Sequence, residues 1–115
     1  MDTTKEEVEA FLKDFKEKMA IFEIIFYRSR GKNLMTFLEL ELSEISARKH
    51  LEELTHEDFY KGPSKDKDDG PELWEFGKII KGREVYIKIT RGYLNKPVIC
   101  ISFHFAERII TYPFK

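Results

Sequence analysis

The sequence predicts an α+β fold in which two to three N-terminal helices pack on one face of a C-terminal antiparallel sheet. Apolar residues recur at helical spacing in the first half of the chain. The second half contains three segments that are rich in β-branched and aromatic residues and are separated by turn residues. The length of 115 residues is typical of one domain, so we treat residues 1–115 as a single domain.

The composition restricts the class of protein without indicating an activity. The 20 basic and 21 acidic residues leave no basic excess that would indicate nucleic-acid binding. The single cysteine, Cys100, excludes an internal disulfide and agrees with a reducing cytoplasm. No apolar run approaches the ~20 residues that span a bilayer, and the acidic N-terminus differs from a secretion signal. We therefore expect a cytoplasmic protein that has no membrane partner.

The N-terminal segment is predicted to form a helix followed by a strand. Residues 3–18 carry an apolar stripe at helical spacing, and Thr3 or Thr4, ahead of two glutamates, is suited to cap this helix. The stripe consists of Val8, Phe11, Leu12, Phe15 and Met19. Residues 21–27 are β-branched and aromatic, which favours a short strand.

Two further helices are predicted before the sheet. The positively charged segment 28–33 is predicted to be a turn, and the leucines of residues 34–42 indicate a short second helix. Ser43 opens a third helix, whose apolar stripe continues to about Thr55.

The C-terminal half is predicted to form a meander of strands. The predicted strands cover residues 73–80, 84–90 and 97–105. Residues 61–63 break the pattern before them, and the charged segment 64–71 is predicted to be a loop. Lys81 and Gly82 form a tight hairpin turn between the first two strands, and the tail 111–115 is a candidate for a short edge segment.

Alternation along these strands predicts a polar face. In the middle strand the apolar residues alternate with Tyr86 and Lys88, and in the next one Ile99, Ile101 and Phe103 share the side that covers the helices. The opposite, open face then carries Tyr86, Lys88, Cys100, Ser102 and His104. A solvated polar face is the ordinary interpretation of such a set. A histidine, a tyrosine and a lysine on neighbouring strands are also groups that acid–base chemistry on phosphate esters uses.

Other polar residues favour structural roles. His50 and His56 are six residues apart and do not share a helix face, so we expect neither a metal nor another cofactor. Cys100 lies within an apolar run and is predicted to be a small buried hydrophobic residue. Arg28 and Arg30, in the charged turn, are candidates for contact with a phosphate backbone.

Four segments together resemble the MqsR family of toxins from bacterial toxin–antitoxin pairs. They are LTHEDFYKGP at residues 54–63, LWEFGK at 73–78, EVYIKI at 84–89 and VICISFH at 98–104. The most diagnostic pieces are DFYK at 58–61 and VYIKI at 85–89 before a Ser-Phe pair, and the similarity covers residues 20–114 in order and spacing. The resemblance implies a RelE-like fold, cleavage of single-stranded messenger RNA without the ribosome, and an antitoxin protein as partner.

The resemblance also implies which residues act. The family's catalytic lysine after the Phe-Tyr pair corresponds to Lys61, and its catalytic tyrosine to Tyr86. Glu75 stands where the family usually has glutamine, and His104 stands where it has lysine. The carboxylate opposes phosphate binding unless it is paired or acts as the base, whereas the imidazole retains a proton donor.

The implied reaction is a metal-free attack of the substrate's own 2′-hydroxyl on the adjacent phosphorus, which leaves a 2′,3′-cyclic phosphate and a free 5′-hydroxyl. Lys61 is assigned to stabilise the charged phosphorane, and the proton transfers are assigned to Tyr86, His104 and Glu75. The substrate-binding candidates are Tyr60, Lys88, Arg28 and Arg30. Tyr60 is suited to stack on a base.

A second class of function remains open at this point. A non-catalytic member would keep the RelE-like scaffold and engage a partner protein, and fold alone does not distinguish it from an enzyme. Convergence of Lys61, Tyr86 and His104 on one open concavity would favour catalysis. Direct DNA binding is not expected, because the chain shows neither a helix-turn-helix pattern nor a basic recognition helix.

Overall fold

The computed structural model describes residues 3–28, 31–66 and 70–115. Within these ranges it contains three α-helices and five strands. The helices are α1 (Lys5–Phe22), α2 (Gly31–Glu39) and α3 (Glu44–Glu52), and the strands are β1 (Ile24–Phe26), β2 (Phe59–Ser64), β3 (Leu73–Ile80), β4 (Arg83–Thr90) and β5 (Val98–Phe105). A single 3₁₀ turn, His56–Asp58, precedes β2. None of the helices in the described ranges has the length and apolar character needed to cross a membrane.

The five strands form one mixed sheet in the order β1-β5-β4-β3-β2. The pairs among β2 to β5 are antiparallel, whereas β1 pairs with β5 in parallel. The α+β class is confirmed, but the prediction of a purely antiparallel sheet is wrong for β1. This strand reaches the sheet edge from between two helices and not through a hairpin, so no turn signal fixed its direction.

Helix α1 is capped and packed by the residues that predicted it. The Thr4 side chain accepts a hydrogen bond from the Glu7 backbone N–H at 3.1 Å, and the Glu7 carboxylate accepts one from the Thr4 N–H at 2.8 Å. The predicted apolar stripe is buried, and the Phe11 ring stacks on Trp74 of β3 with centroids 4.3 Å apart. The helix continues to Phe22, so the predicted strand 21–27 is shortened to β1.

Helices α2 and α3 lie against the same face of the sheet as α1. Phe37 of α2 contacts Phe103 of β5 with ring centroids 5.3 Å apart. Ser43 caps α3, as predicted. Helix α2 begins at Gly31, so residues 31–33 of the predicted turn are helical, while residues 29–30 lie outside the described ranges. Both helices end about three residues before their predicted ends, at Glu39 and Glu52.

Strand β2 was not predicted from the sequence. The prediction that residues 61–63 break the structure is wrong, because they lie inside β2. β2 occupies an edge of the sheet, where Pro63 needs no N–H for a second neighbour, and its pairing with β3 is irregular on both sides of Lys61. Gly62 has φ +132°, and a Cβ there would lie 2.9 Å from the Leu73 carbonyl oxygen.

Strands β3 to β5 match their predicted bounds closely. β3 has the predicted bounds, and β4 and β5 each differ from theirs by a single residue. The hairpin turn at Lys81 and Gly82 is confirmed, with φ values of 52° and 81°. Positive φ at both positions is typical of the turns that suit the twist of a two-residue hairpin.

A bulge in β5 changes which side chains face the core. Lys88 pairs with Ser102, but the next residue, Ile89, pairs with Cys100, so Ile101 is the extra residue. The placement of Ile99 and Ile101 on the covered side is therefore wrong. Cys100 turns towards the helices and is buried, which confirms its prediction as a core residue and corrects its predicted side.

The C-terminal tail lies across the open face instead of extending an edge. Among the described residues, 106–115 contain no strand, so the predicted edge segment is absent. The Tyr112 hydroxyl donates to the Glu84 carboxylate on β4 at 2.7 Å. Gly77 of β3 lies beneath this tyrosine, since a Cβ there would be 2.4 Å from the Tyr112 hydroxyl oxygen. The tail consequently covers one end of the face that the helices leave open.

Candidate functional site

The open face of the sheet contains a cleft of about 260 Å³ beside the C-terminal tail. Strands β2 to β5 form its floor, and the tail forms one wall. Its lining residues are Tyr60, Lys61, Glu75, Tyr86, Lys88, Ser102, His104, Ala106, Glu107, Arg108 and Ile110. All four residues predicted to be catalytic line this cleft, as do two of the predicted substrate-binding residues, Tyr60 and Lys88.

Strand register brings these side chains together. Glu75 of β3 pairs with Lys61 on one side and with Lys88 on the other. One step along the sheet, Tyr86 pairs with His104. Directly opposite residues of antiparallel strands point to the same face with Cβ atoms about 5 Å apart, so four strands deliver one compact polar group.

Tyr86 and Glu75 form the central contact of the cleft. The Tyr86 hydroxyl donates to Glu75 Oε1 at 2.5 Å, and Glu75 is 8% exposed. Burial and this hydrogen bond to a carboxylate raise the pKa of Tyr86 well above the ordinary 10.0. The phenol therefore holds its proton at neutral pH and acts as a donor, which removes Tyr86 from the candidates for the general base.

His104 is oriented by its own strand and by Tyr86. Its Nδ1 lies 3.0 Å from the Phe105 carbonyl oxygen, and its ring centroid lies 5.2 Å from that of Tyr86. A carbonyl oxygen only accepts, so Nδ1 carries the hydrogen in this contact. The second nitrogen, Nε2, is thus the one left to exchange a proton with a substrate.

Three cationic side chains border the cleft: Lys61, Lys88 and Arg108. Lys61 is exposed, and its Nζ lies 5.1 Å from the centroid of the Tyr60 ring. Lys88 is half-buried on the floor. Arg108 comes from the tail, which the sequence analysis left without a functional role.

Two carboxylates, Glu75 and Glu107, oppose these cations in the lining. Glu107 is engaged from outside the cleft by Lys32, whose Nζ lies 2.8 Å from Oε1, and this hydrogen bond lowers the pKa of Glu107. No ion pair among the described residues joins Glu75 to Lys61 or to Lys88. The lining therefore carries a local positive excess in a chain whose formal net charge is −1.

Sequence reasoning missed the contribution of the tail. Arg108 and Glu107 follow the last strand in a segment that has no periodic pattern, and no motif links them to β2 or β3. Only the fold of the tail across the sheet brings them to Tyr86. The one available signal was the tyrosine of the tail, whose hydroxyl needs a polar partner when it is covered.

The structure does not bring Arg28 to the cleft. Its Nη1 lies 3.4 Å from a Glu44 carboxylate oxygen, and its guanidinium lies 5.1 Å from the centroid of the Phe37 ring. Arg28 thus contacts one residue of α2 and one of α3. Arg30, the other arginine predicted to bind substrate, lies outside the described residues.

The two histidines outside the cleft have different surroundings. His56 Nδ1 lies 3.1 Å from a Glu9 carboxylate oxygen, whereas His50 Nδ1 is buried, lies 3.7 Å from a Glu53 carboxylate oxygen and has no hydrogen-bond partner among the described residues. Burial, followed by the charge of Lys78, lowers the pKa of His50. In the described ranges no three His, Cys, Asp or Glu side chains lie close enough together to hold a metal ion.

The cleft combines the groups that acid–base chemistry on a phosphate ester requires. A buried carboxylate has one oxygen held by a phenol, an imidazole presents Nε2, and cations border both. Comparisons of the chain with protein-family models, with curated proteins and with solved structures found no significant match. The function is therefore argued from the site itself.

Proposed function

We propose that the protein is an endoribonuclease that cleaves single-stranded RNA through the 2′-hydroxyl of the substrate and needs no metal ion. The observation that carries the proposal is the convergence of Lys61, Glu75, Tyr86 and His104 on one solvent-open cleft. These side chains supply a base, an acid and positive charge, which are the three requirements of this reaction.

Glu75 is assigned as the general base. Its Oε1 accepts the hydrogen bond from Tyr86, which fixes the carboxylate and leaves Oε2 to take the proton from the 2′-hydroxyl. The bond from O2′ to phosphorus then forms while the bond from phosphorus to O5′ breaks. Of the three residues to which the resemblance assigns proton transfers, this assignment makes Glu75 the base and leaves Tyr86 to position it.

His104 is assigned as the general acid. In its protonated form it donates from Nε2 to the departing 5′-oxygen, while Nδ1 stays bonded to the Phe105 carbonyl. The products are a 2′,3′-cyclic phosphate and a 5′-hydroxyl. Tyr86 and His104 are direct cross-strand partners, so the acid and the phenol that positions the base are held by one sheet.

Lys61, Lys88 and Arg108 are assigned to the phosphate. Preorganised cations in a partly enclosed site stabilise the charge that develops on the phosphorane. Lys61 lies beside Tyr60, which offers an aromatic face to a neighbouring base. Two of these cations come from the sheet and the third from the tail.

The wider biological role is proposed from the sequence resemblance alone. A RelE-like scaffold, messenger RNA as the substrate, a cytoplasmic location and an antitoxin as the partner belong together in the MqsR family. The α+β architecture, with helices on one face and a polar cleft on the other, is compatible with that assignment.

The proposal is tested by cleavage of mixed-sequence RNA by the purified protein in the presence of a chelator. Glu75→Gln retains the shape of the side chain but removes the base, and we expect it to lower the cleavage rate about 100- to 10,000-fold. Lys61→Ala is expected to lower the rate about 100- to 1,000-fold. Equal rates in Glu75→Gln and in the unaltered protein would contradict the assignment.

Matched control variants are available on the surface. Glu72→Gln changes an exposed acid just before the same strand, and Lys13→Ala changes a lysine that is 74% exposed on α1. Both controls should cleave RNA at the unaltered rate, because neither residue lines the cleft.

One observation favours a non-catalytic binding module instead. Glu75 is the register partner of both Lys61 and Lys88, so its charge opposes the binding of an anion at that position. This interpretation predicts that the folded protein, freed of any bound partner, leaves RNA intact. Cleavage that is lost in Glu75→Gln would exclude it.

A further inference from the structure

A second groove lies next to the cleft on the open face. It has a volume of about 610 Å³ and shares Lys88 with the cleft, so the two adjoin at this residue. Beyond Lys88 the floor continues to Thr90, about 6.6 Å further along β4 at the usual rise of a strand. The groove is therefore within reach of a chain whose phosphate lies in the cleft.

Two tyrosines and two isoleucines form the aromatic and apolar part of the groove, whose lining also contains Ser64, Lys65, Asp66, Lys88 and Thr90. Tyr93 is 58% exposed and Tyr27 37% exposed, and both line the groove together with Ile99 and Ile101. Ile99 lies here because it pairs with Thr90, and Ile101 because the bulge of β5 directs it to this side. The bulge thus creates an apolar floor on a face that is otherwise polar.

Hydrogen bonds to their backbone atoms hold the segments that carry both tyrosines. Lys18 of α1 donates from Nζ to the Tyr93 carbonyl oxygen at 2.6 Å, and the Lys96 N–H donates to the same oxygen at 3.1 Å. The Tyr27 N–H donates to the Cys100 carbonyl oxygen at 3.1 Å. The rings are therefore presented by anchored segments, which lowers the entropy cost of binding.

We propose that this groove binds the base of a nucleotide that flanks the scissile phosphate, by stacking on Tyr93 above the floor of Ile99 and Ile101. This inference rests on the proposed ribonuclease function. Aromatic and apolar side chains next to cations fit a flat heterocycle attached to a phosphate chain. Lys65 and Lys88 in the lining suit the next phosphate, and the Asp66 carboxylate, also in the lining, offsets one of these two positive charges.

The test uses an RNA that the protein cannot cut. A hexamer of adenosine with 2′-O-methyl groups lacks the attacking hydroxyl, and its affinity is measured by calorimetry. Base–aromatic stacking predicts that Tyr93→Ala weakens binding about 5- to 150-fold, whereas Tyr93→Phe retains the affinity of the unaltered protein. Leu94→Ala, at a neighbouring residue that is 87% exposed, is the control and should leave affinity unchanged.

A series of hexamers with one abasic position identifies the stacked base. At one position of the hexamer, loss of the base should weaken binding to the unaltered protein as much as the substitution Tyr93→Ala does. The Tyr93→Ala protein should bind this abasic hexamer and the complete hexamer with the same affinity. Equal hexamer affinity in Tyr93→Ala and Leu94→Ala would overturn the subsite. It would also be overturned if removal of a base weakened binding equally in the unaltered protein and in Tyr93→Ala. A groove that binds a partner protein instead of a base predicts this equal weakening.

Cleavage of unmodified RNA separates this inference from the proposed function. If Glu75→Gln abolishes cleavage while Tyr93→Ala leaves hexamer affinity unchanged, the enzyme assignment stands and the subsite is wrong. If the unaltered protein cuts no RNA but binds the hexamer through Tyr93, the subsite stands and the assigned chemistry is wrong.

Discussion

The two faces of the sheet differ in almost every physical respect although the same strands build them. The covered face is a layer of fully buried apolar side chains against α1, α2 and α3, with Phe76 and Ile87 at 0% exposure. The open face presents Glu75, Tyr86 and His104 to a cleft. Since side chains alternate along a strand, β2 to β5 contribute to the core on one side and to the lining of the cleft on the other.

This difference predicts that substitutions on the two faces have separable effects. On the covered face a truncation leaves a cavity in a packed interior and lowers stability. On the open face it removes a reacting group at little cost to the core. Paired measurements of cleavage rate and of the free energy of unfolding, made on the same samples, therefore test the comparison directly.

The largest effect is expected for His104→Ala on cleavage. Loss of the general acid should lower the rate about 100- to 10,000-fold, equivalent to about 3 to 5 kcal/mol in the barrier. In chemical denaturation, the free energy of unfolding of the same variant should differ from that of the unaltered protein by less than about 1 kcal/mol, because the ring is half-buried on the open face. His56→Ala is the matched control and should keep full activity.

Phe76→Ala is expected to reverse this pattern. The Phe76 ring lies 5.8 Å from that of Phe59 and is fully buried, so its truncation should cost about 3 to 5 kcal/mol of unfolding free energy. Ile79→Ala in the same strand is the control; at 60% exposure it should cost less than about 1 kcal/mol. Equal losses in the two variants would contradict the assignment of the core.

Gly77→Ala tests how the tail packs over the open face. The added Cβ would clash with the Tyr112 hydroxyl and come within 2.9 Å of Ile110 Cδ1, so these two side chains must shift, at a cost of about 1 to 3 kcal/mol in thermal or chemical unfolding. Gly31→Ala is a suitable control because nothing lies within 4 Å of its added Cβ. A Gly77→Ala protein as stable as Gly31→Ala would show that the tail does not pack as described.

Thr4→Ala should have a smaller effect, which is confined to the start of α1. Loss of the side-chain bond to the Glu7 N–H is expected to cost about 1 kcal/mol, whereas Thr4→Ser keeps the hydroxyl and most of the stability. If denaturant titrations showed a similar loss of unfolding free energy in Thr4→Ala and Thr4→Ser, the capping box would be contradicted. Cleavage should be unaffected in either case.

The smallest expected effect concerns stability at high pH. The pKa of Tyr86 is raised in the folded protein by burial and by its bond to Glu75, whereas an unfolded tyrosine loses its proton at about pH 10. The folded state then binds more protons, so this contribution is complete below about pH 10 and is lost as the pH rises above it. Tyr86→Phe should therefore lose less stability than the unaltered protein between about pH 9 and about pH 11. An identical pH dependence of unfolding would contradict the bond.

Periodicity predicted most of the covered face. The stripe of α1, the cap at Ser43 and strands β3 to β5 follow from spacing and turn residues, because burial of one face imposes a period on the sequence. The failures occur where an irregular backbone departs from the period. The bulge at Ile101 and the edge strand around Pro63 are the two clear examples.

The candidate site was predictable only in part, for the same physical reason. Alternation gathers Tyr86, Lys88 and His104 on one face, whereas Lys61 and Glu75 were singled out only through the family resemblance. The predicted hairpin turn sets the register of β3 and β4, in which Tyr86 pairs with Gly77 and Glu75 with Lys88. The hydrogen bond from Tyr86 to Glu75 joins two residues that are not register partners, so pairing alone does not predict it. Arg108 reaches the cleft through a tail with no period at all.

The most direct test of the central claim is the chemistry of the RNA ends. Single-stranded RNA is incubated with the purified protein and a chelator, and the new ends are identified by mass spectrometry. Glu75 as base and His104 as acid predict 2′,3′-cyclic phosphate and 5′-hydroxyl ends, which Glu75→Gln and His104→Ala do not generate. Ends that carry a 5′-phosphate, or ends that both variants produce as efficiently as the unaltered protein, would contradict the account.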